Sequence, residues 1–245
     1  MFTFPVCHFS TVESEGGLPV SGAELWLDAS DSSTITHSSG KVSQWDDKSG
    51  TGNNAVQTVE SRKPTTNSRT QNGLNVIEFT ADGFMTLTNS EGDLPKTVFI
   101  VFLTDNVSAQ HRGIFGSQGG GADNGGWRVF QAKTSGTMDT TVFTGGAPYA
   151  QSFLYPSLNT AYLYHGKLVT SGTIDSALDN DSYSTSSNSV TGFTNSNRAY
   201  FVGKINSSGF YHDGWIGEII TFPSILNSTD IDSMKTYLND KWSIY

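Results

Sequence analysis

The chain has 245 residues, 14 of them basic and 23 acidic, for a formal charge of -9 at pH 7. That balance repels a nucleic-acid backbone and an anionic membrane surface, so neither is expected as a partner. With 12% aromatic and only 15% charged residues, the composition excludes an intrinsically disordered chain.

Residues 1–20 stand apart as an N-terminal arm, with Phe2, Phe4 and Phe9 set without a period among Pro, Ser, Glu and a Gly-Gly pair. Two roles are open to it. The arm can drape over its own domain and bury the three rings, or it can dock the domain onto a larger assembly, since apolar groups on a free terminus are otherwise a solubility liability. The start has neither the basic residues nor the sustained apolar segment of a secretory signal, so classical export is not expected. The most apolar stretch, Thr97 to Leu103, is far shorter than the roughly 20 residues of a membrane-spanning helix. Cys7 is the single cysteine and has no metal-ligating neighbours at zinc spacing. It reads as a buried or arm-located thiol, with a bridge between subunits as the alternative.

From Ala23 onward, short β-prone segments alternate with turn chemistry. Strands are predicted near 23–28, 42–46, 74–80, 97–104, 112–116, 126–132, 138–144, 161–169, 173–178, 198–203 and 214–222. The segment Lys96-Thr-Val-Phe-Ile-Val-Phe-Leu-Thr is apolar on both faces and is predicted as a central strand. Alternation in Ala23-Glu-Leu-Trp-Leu-Asp puts Leu25 and Leu27 on one face and Glu24, Trp26 and Asp28 on the other. In Asp213-Gly-Trp-Ile-Gly-Glu-Ile-Ile it pairs Trp215 with Ile219, and Ile216 with Ile220. Asp46-Asp-Lys-Ser-Gly, Gln118-Gly-Gly-Gly-Ala-Asp-Asn-Gly-Gly and Asp179-Asn-Asp carry turn residues. Residues 179–197 read as a long polar loop with room for one strand at its end. A helix is predicted from Asn227 or Ser228 to about Lys241, because Ile231, Met234, Leu238 and Trp242 share one helical face. Asn227 and Ser228 are natural N-caps, and Asp230, Asp232 and Lys241 suit the helix dipole.

Two stretches go beyond generic β character. One is Leu25-Trp-Leu-Asp-Ala-Ser-Asp with Gly40-Lys-Val-Ser-Gln-Trp-Asp-Asp-Lys-Ser-Gly; the other is Asp213-Gly-Trp-Ile-Gly-Glu-Ile-Ile-Thr-Phe with Tyr237-Leu-Asn-Asp-Lys-Trp. Together with Asn72-Gly-Leu-Asn-Val-Ile-Glu-Phe they resemble the concanavalin A-like lectin/glucanase superfamily, specifically laminin G-like domains of bacterial secreted proteins and phage particles. The resemblance implies an all-β fold over residues 21–245: a two-sheet antiparallel jelly-roll sandwich with one C-terminal α-helix, the first strand near the last. The matched motifs are scaffold motifs, and Trp26, Trp45 and Trp215 are expected to fill the core or its rim.

Catalytic signatures are missing. Some members of the wider fold are glycosidases that resemble one another in a Glu-x-Asp-x-Glu strand, and this sequence has none; Asp179-Asn-Asp181 is the nearest imitation, in a loop. His8, His37, His111, His165 and His212 are scattered singly, and neither a Gly-x-Ser-x-Gly elbow nor a phosphate-binding loop occurs. No enzyme activity and no cofactor is expected. Calcium has oxygen ligands to hand in Asp123, Asp179 and Asp181 but no EF-hand spacing, so it is not required.

Sugar recognition needs an aromatic ring and nearby hydrogen-bonding groups, and three loops carry them. These are Asp123, Asn124 and Trp127; Tyr149, Gln151 and Tyr155; and Tyr211 with Asp213. Each loop is equally readable as a plain turn. The expected function is a non-catalytic recognition or structural module located in a phage virion, where it binds cell-surface glycans and joins other virion proteins through the arm. A purely architectural subunit and a glycoside hydrolase are the alternatives, and a homo-oligomer is expected because virion assemblies are symmetric.

Overall fold

Alternating apolar and polar residues, broken by Gly, Asn and Asp turns, fold the chain into short antiparallel strands. The structure is a computed structural model that describes residues 17–80, 82–88, 95–106, 112–117, 126–131, 138–143, 150–154, 156–169, 172–186, 188, 199–205 and 209–245. For residues 126, 130, 131, 138, 139, 141–143 and 150–153 it describes the backbone alone.

In chain order the strands are β1 (Leu25–Asp28), β2 (Ile35–Ser38), β3 (Lys41–Trp45), β4 (Ala55–Val56), β5 (Thr70–Gln71), β6 (Leu74–Asn75) and β7 (Ile77–Phe79). Next come β8 (Met85–Leu87), β9 (Thr97–Thr104), β10 (Arg112–Ser117), β11 (Gly126–Gln131), β12 (Met138–Phe143) and β13 (Ala150–Leu154). The last are β14 (Ala161–Leu168), β15 (Ile174–Leu178), β16 (Ser184–Thr185), β17 (Tyr200–Val202), β18 (Lys204–Ile205), β19 (Phe210–Tyr211) and β20 (Gly214–Phe222), followed by the helix α1 (Ser228–Trp242). A seven-stranded sheet runs β1-β20-β9-β14-β15-β16 with β7 also on β20, and a nine-stranded sheet runs β13-β12-β11-β10-β17-β8-β4-β3-β2. Their stacking is the expected two-sheet antiparallel sandwich. The unpredicted strands β2, β4, β5, β8, β13, β16, β18 and β19 have two to five residues each, too few to register a period.

The core between the sheets joins Leu25, Leu27, Ile100 and Phe102 of one sheet to Trp45, Met85, Phe115 and Trp127 of the other. β9 lies between β20 and β14 with all eight residues buried, as its two-sided apolar pattern predicts. A second core lies outside the seven-stranded sheet, where Ile231, Met234, Leu238 and Trp242 of α1 cover Trp26, Phe99, Val101 and Ile220. Each of these helix side chains stabilises the fold by about 1.5–3 kcal/mol on burial. Asn227 caps the helix by accepting from the Asp230 amide at 3.0 Å. Among the described residues no helix is long and apolar enough to cross a membrane.

β20 departs from simple alternation. Its register against β9 shifts between Ile216 and Glu218, so Ile216 and Ile219 face the inter-sheet core while Trp215 and Ile220 face the helix. The predicted pairings of Trp215 with Ile219 and of Ile216 with Ile220 are therefore corrected: a β-bulge at Gly217 adds one residue and exchanges the faces beyond it. Gly217 also lets the Trp242 ring approach, since a Cβ there would lie 3.1 Å from it.

Candidate functional site

The two sequence stretches that carry the resemblance meet at one buried charge cluster. Asp28 on β1 stands opposite Glu218 on β20, and the bulge turns Glu218 toward α1. Glu218 Oε1 accepts from Trp26 Nε1 at 2.7 Å and Tyr237 OH at 3.2 Å; Oε2 accepts from Trp242 Nε1 at 2.7 Å and Lys241 Nζ at 2.8 Å. Asp28 takes Lys241 at 2.7 Å, Lys48 at 3.0 Å and the Ser30 hydroxyl at 2.6 Å. Burial pushes the Glu218 carboxyl upward against the pull of Lys241. For Asp28, burial also acts upward, but the Lys241 charge and the hydrogen bonds outweigh it and leave the group below its usual range.

A cleft of about 430 Å³ adjoins this cluster, lined in part by Trp26, Asp28, Asp31, Lys48, Tyr237 and Lys241. Its chemistry is structural. Four donors occupy the Glu218 oxygens, so no position remains for a substrate proton. The aromatic faces are taken as well, with Lys48 4.3 Å above Trp26 and Lys241 5.6 Å from Tyr237. The nearby Asp46–Gly50 turn is equally self-contained: Asp47 accepts from the amides of Trp26, Ser49 and Asn53 and from the hydroxyls of Ser49 and Thr51.

A second cluster lies on the outer face of the nine-stranded sheet. Gly113 and Gly116 of β10 have no side chains, and the β18–β19 hairpin lies directly on them, with Ile205 and Phe210 where Cβ atoms would stand. Lys204 on this hairpin pairs with Tyr211, and its ammonium lies 4.5 Å from the Phe84 ring, 4.9 Å from Phe201 and 5.1 Å from Tyr211. Lys204 is 7% exposed. Among the described residues its ammonium has no hydrogen bond and no carboxylate partner. Burial, then the charge of Arg62, lowers its affinity for the proton. Arg62 lies over the same Phe84 ring at 5.8 Å and pairs with Asp82 at 3.4 Å.

Of the sequence candidates, Tyr211 alone is placed in this box. Asp213 binds Arg112 at 3.3 Å, so its carboxylate already has a cation. Trp127 is corrected from a loop residue to a core residue: it is fully buried on β11, its ring against Gly166, with no face open to a sugar. Gln151 lies on β13 opposite Thr141, and its side chain is outside the described set. Asp123, Asn124, Tyr149 and Tyr155, with Phe2, Phe4 and Phe9 of the arm, lie outside the described residues. The flanking residues Ser117, Gly126, Phe143 and Ala150 end their strands at one end of the nine-stranded sheet, whereas Arg112 starts β10 at the other. The three predicted loops therefore do not leave the sheet at a common end. Lys204, Arg62, Phe84 and Phe201 escaped the sequence reading; the available signal was a lone Lys inside the apolar run Tyr200-Phe-Val-Gly-Lys-Ile.

Asp179 is a backbone cap. Its Oδ1 accepts from the Leu163 amide at 2.8 Å and its carbonyl oxygen lies 3.2 Å from His165 Nε2. A carbonyl only accepts, so Nε2 carries the proton and Nδ1 accepts from Tyr183 at 3.1 Å.

No protein-family model matches the chain, and no curated protein matches it. Among solved structures it is similar to Trypanosoma rangeli sialidase in complex with the inhibitor DANA, at 14% identity and a TM-score of 0.61 over 89% of this chain and 33% of that one. It is similar to the botulinum neurotoxin type G receptor binding domain at 17% identity and a TM-score of 0.62, over 89% of this chain and 51% of that one. The chain thus spans about a third and about half of those two. A third similar structure is domain 4 of AbnA, a GH43 extracellular arabinanase from Geobacillus stearothermophilus, in complex with arabinotriose, at 10% identity and a TM-score of 0.65 over 88% of this chain and 98% of that one. At these identities, what the chain shares with them is the β-sandwich fold.

Proposed function

We propose that the chain is a non-catalytic recognition module that binds glycans, of the laminin G-like kind and carried on a phage particle. The observation that carries the reading is Tyr211 on the outer face of the nine-stranded sheet, a half-buried ring packed against the buried Phe84, with the exposed Arg62–Asp82 pair on the Phe84 side of that contact. An aromatic surface beside hydrogen-bonding groups is what a pyranose ring requires. The locked state of Asp28 and Glu218 supports a module without acid–base chemistry. Two of the similar proteins point the same way: a receptor binding domain and a domain holding arabinotriose.

A glycan array tests the reading. Specific binding by the intact protein that fades in Tyr211→Ala supports it, and a blank array favours a purely architectural subunit. Release of reducing ends from a polysaccharide would replace it with a glycoside hydrolase. The virion setting rests on the apolar arm, so deletion of residues 1–20 is expected to abolish incorporation into particles while the domain stays folded; retained incorporation removes that setting.

A further inference from the structure

We propose that Lys204 and Arg62 form an anion-reading point of the recognition surface, taking the carboxylate or sulfate group of an acidic glycan; this rests on the glycan-binding reading above. Lys204 is buried as a residue, 7% exposed, and burial lowers its hold on the proton, yet no described carboxylate lies against its ammonium. Three aromatic rings at 4.5, 4.9 and 5.1 Å supply only part of the lost solvation. Arg62 adds a second positive charge on the same Phe84 ring, which deepens the local excess.

Arg62 can meet a ligand. Its side chain is 43% exposed, and its bond to Asp82, itself 47% exposed, is a 3.4 Å surface pair. Such pairs contribute about 0–1 kcal/mol, so an incoming anion displaces Asp82 at small cost. The anion then gains the guanidinium directly and the field of the Lys204 ammonium that shares the Phe84 ring. Tyr211, half-buried, brings a ring and a hydroxyl to the sugar itself. A neutral sugar uses only that ring, whereas an acidic sugar uses the ring and both cations.

The test prints carboxylated, sulfated and neutral glycans on one array and applies the intact protein, Lys204→Met and Arg62→Gln. Signal concentrated on anionic glycans, with at least about tenfold loss in either variant and no loss on neutral glycans, is the expected result; the carboxylated and sulfated spots show which anion is read. Lys204→Met is expected to keep or raise the midpoint of thermal unfolding, because it removes an uncompensated charge and fills the box. Equal binding to neutral and acidic glycans, or an anionic preference that survives Lys204→Met, overturns the inference and leaves glycan binding standing. A blank array overturns both. A collapse of stability in Lys204→Met also overturns the inference, since the cation would then be needed by the box itself.

Discussion

Asp28 and Glu218 face each other across β1 and β20, and the Lys241 ammonium of α1 bridges them at 2.7 and 2.8 Å. The first strand, the last strand and the helix are thereby held by one cation between two buried carboxylates. Removing one partner of a buried ion network costs more than the network contributes, because a remaining charge stays dry without a cation, here Glu218, whereas Asp28 keeps Lys48. Lys241→Met is expected to destabilise the domain by about 3–5 kcal/mol in guanidinium chloride unfolding. The triple variant Asp28→Asn, Glu218→Gln, Lys241→Met is expected to recover most of that loss. A single variant within experimental error of the parent would show that the two carboxylates do not depend on the Lys241 charge.

Asp179 gives a pH signature. Burial, then the charge of Asp181, raises its carboxyl from 3.8 to about 6. Between those values the folded chain keeps a proton that the unfolded chain has released, so this residue's contribution to stability falls as pH rises from about 4 to about 6 and is constant above. Asn in its place retains an acceptor for the Leu163 amide and tolerates the left-handed backbone, φ 52°. Asp179→Asn should match the parent near pH 4 and exceed it by about 1–2 kcal/mol at pH 7, once solvent screening is allowed for. Urea unfolding at a series of pH values reads the difference directly; a gap that shrinks with rising pH contradicts it.

Trp127 separates packing from recognition. Its ring is fully buried between the sheets and leaves no room for a Cβ on Gly166, so truncation opens a cavity in the core. Trp127→Ala is expected to cost about 3–5 kcal/mol of stability. Glycan affinity per folded molecule should stay unchanged, which calorimetry on the folded fraction can establish. An affinity loss at parental stability would return this residue to a recognition role.

Sequence pattern carries this fold where elements are long or chemically marked. β9 is legible because eight consecutive residues are buried on both faces, α1 because four apolar residues share its stripe, and the Asp46–Gly50 corner because Asp and Ser bond to nearby backbone. Two-residue strands such as β4 and β18 are set by their neighbours in the sheet and have no local signature. The box around Lys204 was hidden for a different reason. Arg62, Phe84, Phe201 and Tyr211 come from separate segments, each ordinary alone, and only the lie of the β18–β19 hairpin over two glycines assembles them. Glu218 was equally obscure, because alternation cannot see a bulge that exchanges faces within a strand.

That bulge yields the sharpest structural prediction. Gly217 does two things: it is the extra residue that turns Glu218 toward α1, and it leaves space for the Trp242 ring, 3.1 Å from where a Cβ would stand. Gly217→Ala keeps the residue count, so Glu218 still meets Trp26, Trp242 and Lys241, while the ring must move by a few tenths of an ångström. Its expected cost is about 1–3 kcal/mol, with a change in tryptophan fluorescence. Deleting Gly217 removes the bulge and leaves Glu218 directly after Ile216, so regular alternation keeps every residue from Glu218 to Phe222 on its present face. The Glu218 carboxyl would then still point toward α1 and its four donors. The deletion is therefore expected to fold, as the alanine variant does, with cooperative unfolding retained by near-ultraviolet circular dichroism. Loss of cooperative unfolding in the deletion variant alone would mean that β20 needs the extra residue for its pairing, beyond the facing of its side chains.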